Sequence, residues 1–234
     1  MSFVDIQASL SAQICVSSEP TPAPPMYTLA CIIRYTNSMR QVLIIHGGSS
    51  FNSYENYLAD LKNLTLDYER LKLQEKWKPW LSQQMLDTDV LLPTFPNGYN
   101  ATYDEWKIYF EKILPLLEDD VQLVGHSLGA MFLAKYLNDN RLKQPVKRLV
   151  LVAGAYDDES TEDLGSFKVT SARNLPKSAD EIHLFHSEDD PVVPFSELAK
   201  FQADLPEAVL HIFEDRQHFN DATFPELLEI LKQK

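Results

Sequence analysis

The run Val121-Gln-Leu-Val-Gly-His-Ser-Leu-Gly-Ala130, continued by Met131-Phe-Leu-Ala-Lys-Tyr-Leu137, decides how the rest of the chain is read. Val121 to Val124 is an apolar strand run and Leu128 to Leu137 has helical spacing, with almost no length between them in which to turn. Gly125-His126-Ser127-Leu128-Gly129 has the G-x-S-x-G spacing that makes such a turn possible. The serine takes a strained backbone conformation, and the positions two residues to either side must lack bulk so that strand and helix can approach. Gly125 and Gly129 supply that clearance, and the Ser127 hydroxyl is held out at the top of a sheet. Ser127 is the candidate nucleophile.

Working outward toward the N-terminus, Gln41 to Ile45 reads as a buried strand ended by His46-Gly47-Gly48. Tyr54 to Leu64 has helical spacing, with Asn52 and Glu55 placed as a capping box. Tyr68 to Met85 is helical in pattern but interrupted at Pro79, and Asp89 to Leu92 is a short strand. Thr102 and Glu105 form a second capping box, opening a helix that puts Trp106, Tyr109, Phe110 and Ile113 on one face. Beyond the elbow come strands at Lys147 to Val152, Glu181 to Phe185 and Val209 to Phe213, a helix at Ser196 to Phe201, and a last helix capped by Thr223 with Glu226. Residues 154–180 are polar and acidic, with little periodicity, and are about the size of a loop flap. Strands alternating with helices predict an α/β fold with a mostly parallel sheet of about six strands, helices on both faces and no large cap, over residues 39–234.

Residues 1–38 hold four of the fourteen prolines, all between Pro20 and Pro25, and no glycine. They read as a dispensable extension, although Thr28 to Tyr35 is apolar enough to add an edge strand. Over all 234 residues, 21 Lys+Arg stand against 34 Asp+Glu, a net charge of -13. A field of that sign repels phosphate backbones and anionic lipid, so nucleic-acid and membrane-surface partners are not expected. No apolar run approaches the roughly 18 to 20 residues that span a bilayer, and MSFVDIQASL lacks the basic start of a secretory signal. Two cysteines, Cys15 and Cys31, are too few for a disulfide framework and fit a reducing cytoplasm.

In parallel sheets functional residues follow the strands. A serine nucleophile needs a base, and histidine is the side chain suited to the task near neutral pH. Of the six histidines, His183 and His211 lie inside strands, His126 is too close to turn onto its neighbour, and His186 ends a strand. His46 also ends a strand, but the glycines after it point to another task, so His46 and Gly47 are assigned to substrate contact. His218 sits between the last strand and the last helix, where a loop can overhang the elbow, and is the candidate base. A carboxylate must fix the imidazole tautomer. Ser187-Glu-Asp-Asp-Pro-Val-Val-Pro194 follows a strand and carries three consecutive acids, usually the mark of a solvated turn; Asp190, directly before Pro191, is chosen over Asp189. The order Ser127, Asp190, His218 is that of α/β-hydrolases. The oxyanion of a tetrahedral intermediate needs two backbone N–H donors. One is expected from Leu128 and the other from Gly48 or Ser49 in the loop after the first strand.

LIIHGG, the helix YDEWKIYF, VGHSLGA, SEDDPVVPF and QHF before a helix together resemble the small serine hydrolases of the retinoblastoma-binding-protein-nine type, within the α/β-hydrolase superfamily. The likeness runs from about Met39 to the C-terminus. It implies the α/β-hydrolase fold, with Ser127 as nucleophile, Asp190 as acid and His218 as base. Gln217 stands where many members of that family carry glycine before the histidine, and Tyr68 to Met85 is longer than their usual connection.

The function expected is cleavage of a small ester, thioester or amide through an acyl-enzyme, with a small-molecule acyl substrate, short chains favoured, no cofactor and no metal. A catalytically silent binding protein on the same scaffold would use the Pro-rich segment and residues 154–180 as its surfaces, but a complete triad has no purpose there. A metal-dependent hydrolase built on His46, His186, Asp189 and Asp190 is disfavoured, because His183 and His186 point to opposite faces of one strand. Protein partners are not readable.

Overall fold

Six parallel strands form one sheet: β1 (Arg40–Ile45), β2 (Thr88–Leu91), β3 (Gln122–His126), β4 (Val146–Val152), β5 (Ala179–Ser187) and β6 (Val209–Phe213). The structure is a computed structural model and describes residues 39–233. The edge strand expected at Thr28 to Tyr35 lies outside the described residues. Strand order is β2-β1-β3-β4-β5-β6. The chain moves outward from β1 to β2, returns to the other side of β1 as β3, and then adds β4, β5 and β6 in turn. The direction of winding therefore changes between β1 and β3, the place where open parallel sheets bind ligands. The register pairs Ile45 with Gly125 and His126 with Val152, so the loops after these strands leave from one edge.

Both faces are covered, as the continuous apolar runs require. Alternation along β1 sends Leu43 and Ile45 to one core and Val42 and Ile44 to the other. The first core is closed by α3 (Tyr103–Ile113), α4 (Leu128–Asp139) and α5 (Ser196–Asp204), through Trp106, Phe110, Phe132 and Phe201. The second is closed by α2 (Trp77–Gln84) and α6 (Pro225–Lys232), through Trp77, Leu81, Leu227 and Leu231. Helix α1 (Tyr54–Asn63) buries none of its residues. Residues 154–180 are not a peripheral flap throughout. Phe167, Val169, Ala172 and Leu175 are core residues, and Phe167 meets Trp106 edge-to-face at 5.1 Å.

Helices α1 and α3 start where expected, but some caps and the bounds of α2 and α6 differ. Ser53, not Asn52, caps α1, its side chain accepting from the Asn56 N–H at 3.1 Å. Asn52 instead donates to Glu159 and Asp163. Pro79 does not interrupt a helix: only a short turn forms at Glu69–Leu71, and α2 begins at Trp77, so the proline falls in its first turn, where no intrahelical N–H is needed. Thr102 occupies the cap position of α3, but its hydroxyl donates to Glu105 and accepts no amide. At α6 the helix starts with Pro225 after Phe224, because a proline preset at the helical φ makes a better first residue than one within a longer helix.

Candidate active site

Ser127 directly follows β3 with φ 55° and ψ -122°, a conformation costly for a side-chain-bearing residue. It is held by its N–H to Val152 O at 2.8 Å and by its carbonyl, which accepts from Ala130 and Met131 at the start of α4. The flanking glycines are there for space. A Cβ on Gly125 would meet Gly129 O at 2.5 Å, and one on Gly129 would meet Ile45 O at 2.5 Å.

The His218 loop is fixed from several sides. Ser187 Oγ accepts from Arg216 N–H at 3.0 Å, and Asp189 Oδ1 accepts from Gln217 N–H at 2.8 Å and from Ser187 Oγ at 2.6 Å. Trp77 Nε1 donates to Phe219 O at 2.8 Å, and the Trp77 N–H donates to Asp221 O at 3.1 Å. Within this frame Gln217 and Phe219 adopt φ of 45° and 51°. A glycine at 217 would adopt that conformation freely; here the hydrogen bonds on both sides hold a glutamine in it. Asp189 is thus no idle turn residue, although it remains exposed.

Asp190 faces inward, with its side chain fully buried, and Oδ2 and Oδ1 lie 2.8 Å and 3.1 Å from His218 Nδ1. The same carboxylate accepts from Val192 and Val193 N–H at 2.8 Å and 3.0 Å. Burial pushes its pKa up, but the hydrogen bond and charge of His218 and the two amides outweigh that and hold it below the usual carboxylate value. An acceptor at Nδ1 places the imidazole proton there and leaves Nε2 with the lone pair. His218 and Ser127 line one cavity of about 560 Å³ at the β1–β3 edge, together with Gly48, Lys78 and Glu162.

The remaining histidines have other tasks. His126 donates from Nε2 to His218 O at 2.9 Å, clamping the loop from below, so its Nδ1 is the acceptor for Lys78 Nζ at 3.1 Å. Burial first, then the charge of Lys78, keeps its pKa well below the ordinary value. His186 Nε2 meets Val193 O at 3.1 Å and secures the Asp190 turn. His46 lines the cavity, but both of its ring nitrogens are engaged. Nε2 accepts from Phe95 N–H at 2.8 Å and Nδ1 donates to Gly47 O at 2.5 Å, leaving only ring carbon for a substrate. Gly47 and Gly48 also line the cavity. Ser49 does too, but its N–H donates to Gly98 O at 2.9 Å, so of the two loop amides considered from sequence it is the one already committed. Among the described residues the Gly48 N–H has no hydrogen-bond partner. Sequence reasoning missed the anchoring by Asp189, Ser187, His126 and Trp77.

A family model described as serine hydrolase matches residues 71–232. The chain belongs to the serine hydrolase family. It is similar to the YdeN protein of Bacillus subtilis, 28% identical over 192 residues that make up 77% of this chain and 86% of YdeN. Serine hydrolase RBBP9 of Rattus norvegicus is 29% identical over 164 residues, 67% of this chain and 84% of the relative. The solved structure of the Bacillus subtilis ydeN gene product superposes with a TM-score of 0.65 at 22% identity, covering 82% of this chain and 96% of that one, and shares the α/β-hydrolase fold. This serine hydrolase is thus a hydrolase by family, and among its described residues no helix is long and apolar enough to cross a membrane.

Proposed function

We propose that the protein cleaves a small ester, thioester or amide through an acyl-enzyme on Ser127. The observation that carries this reading is the buried Asp190–His218 pair, bonded at 2.8 Å, in the cavity that Ser127 also lines. Ser127 Oγ attacks the substrate carbonyl carbon while His218 Nε2 takes the hydroxyl proton, and Asp190 stabilises the imidazolium that forms. The carbonyl π electrons move onto oxygen, where the N–H groups of Leu128 and Gly48 receive the charge. Collapse breaks the bond to the leaving group, which takes the proton from His218. Water, deprotonated by the same nitrogen, then hydrolyses the acyl-serine and frees the acid.

A fluorophosphonate probe tests this, because it requires an activated serine beside an oxyanion site. The wild-type protein should label at Ser127. Labelling should vanish in Ser127→Ala and fall sharply in His218→Ala. Folded wild-type protein that resists the probe would contradict the reading and favour a silent scaffold.

A further inference from the structure

We infer that Lys78 makes the wall of this cavity an anion subsite, so that the substrate is an acyl compound carrying a carboxylate; the inference rests on the acyl-enzyme reading and narrows it. Lys78 sits in the first turn of α2, and both Lys78 and Lys76 line the cavity that holds Ser127 and His218. Its ammonium is aimed by two contacts, a hydrogen bond to His126 Nδ1 at 3.1 Å and the Trp77 ring at 4.4 Å. His126 directly precedes Ser127, and a Cβ placed on Gly47 would lie 3.0 Å from Ser127 Cβ and 3.5 Å from His126 Nδ1, so both face the Gly47 backbone. The charge therefore shares one cavity with Ser127 and His218.

This charge is uncompensated by protein. Among the described residues neither lysine has a carboxylate within ion-pair distance, in a chain with 34 Asp+Glu against 21 Lys+Arg. The first turn of α2 carries no acid, so two cations occupy the positive end of a helix dipole, the reverse of the stabilising arrangement. His126 cannot neutralise the ammonium, since its Nε2–H is spent on His218 O and its Nδ1 gives only a lone pair. Burial, then Lys76, lowers the Lys78 pKa to about 7, as expected for an ammonium that lacks a counter-charge. A carboxylate on the substrate supplies that charge, with at least one Lys78 N–H left over to donate to it. Glu162 faces the cavity from the segment before Asp163, and so repels the same carboxylate from that side. The cavity is thus polarised, and an anionic arm is directed to the α2 wall.

The test compares kcat/KM for two matched ester pairs. The methylumbelliferyl esters of hexanoate and of adipate differ by a carboxylate on the acyl side; phenyl butyrate and 3-carboxyphenyl butyrate differ by one on the leaving side. The net charge of -13 would by itself disfavour the anionic member of each pair. The subsite predicts that wild-type protein prefers the anionic member of one pair by about tenfold or more. Lys78→Gln should abolish the preference and Lys78→Arg should retain most of it, read as a ratio within each variant so that a general loss of rate cancels. Wild-type protein that turns over the neutral esters as well as or better than the anionic ones overturns the subsite and leaves the hydrolase reading intact. A preference that survives Lys78→Gln likewise removes Lys78 from the role. Protein that hydrolyses no ester and resists fluorophosphonate overturns the acyl-enzyme reading, and the subsite with it.

Discussion

The His218 loop and segment 157–163 both border the cavity, but they are held by different physics. The first is fixed by directional bonds from Ser187, Asp189, His126 and Trp77 to successive backbone groups. The second is rooted in one place, where Glu197 Oε2, wholly buried, accepts from Tyr156, Asp157 and Asp158 N–H at 2.7, 2.9 and 2.9 Å. Beyond that root it is tied by exposed contacts, Glu159 with Lys168 and Asp163 with Asn52 and Asn56. Exposed polar ties in water contribute little, whereas bonds to buried backbone cannot be exchanged for water without cost. Directional bonds to the backbone are concentrated on the His218 side, whereas the acidic side is held beyond its root by side-chain contacts near the surface.

That contrast can be broken in order of expected effect. Asp190→Asn should lower kcat by about 10⁴, because the amide favours the wrong imidazole tautomer while the fold survives. Asp189→Ala should lower kcat by about tenfold with little change in KM, through displacement of Gln217 and with it His218; Asp189→Asn, which keeps an acceptor oxygen, should cost less. Glu197→Ala leaves three amides without their acceptor and should reduce stability by about 3 kcal/mol in urea unfolding, with Glu197→Gln milder. Asp163→Asn should change stability by less than about 0.5 kcal/mol, the value typical of an exposed substitution. An Asp163→Asn effect as large as that of Glu197→Ala would erase the distinction between the two segments.

Acidification separates buried from exposed groups in another way. Burial lowers the pKa of His126, His183, His186 and His211, the last to about 4. These rings stay neutral in the folded chain while the unfolded chain binds protons below its ordinary value of 6.5. Stability is therefore fully present above pH 6.5 and should fall as the pH drops from there toward 4, seen as a declining urea midpoint. A midpoint that stayed flat over that interval would show these histidines to be open to solvent.

Most of the sheet was legible in the sequence, because a strand buried on both faces is a continuous apolar run. Val209 to Phe213 agrees at both ends, and Lys147 to Val152 differs by one residue. Ser127, Asp190 and His218 were chosen as candidates by the rule that such residues follow strands, and each does lie just beyond one. The supports were not legible, because their partners are remote in the chain. Asp189 and Gln217 are 28 residues apart, and Trp77 and Phe219 are 142 apart. Nothing near Asp189 distinguishes an anchoring carboxylate from a solvated one. The cap of α1 was missed for a different reason: Asn52 and Ser53 compete for one position, and the Asn52 side chain is claimed by Glu159 and Asp163, more than a hundred residues away.

The central claim is the covalent step at Ser127. Protein turning over a butyrate ester is quenched in acid within the first turnover and digested, and the peptides are weighed. The account predicts a butyryl group on the peptide containing Ser127, absent in Ser127→Ala and accumulating in step with an initial burst of released alcohol. Turnover with no acylated Ser127 peptide at any quench time, or acylation that persists in Ser127→Ala, would contradict it.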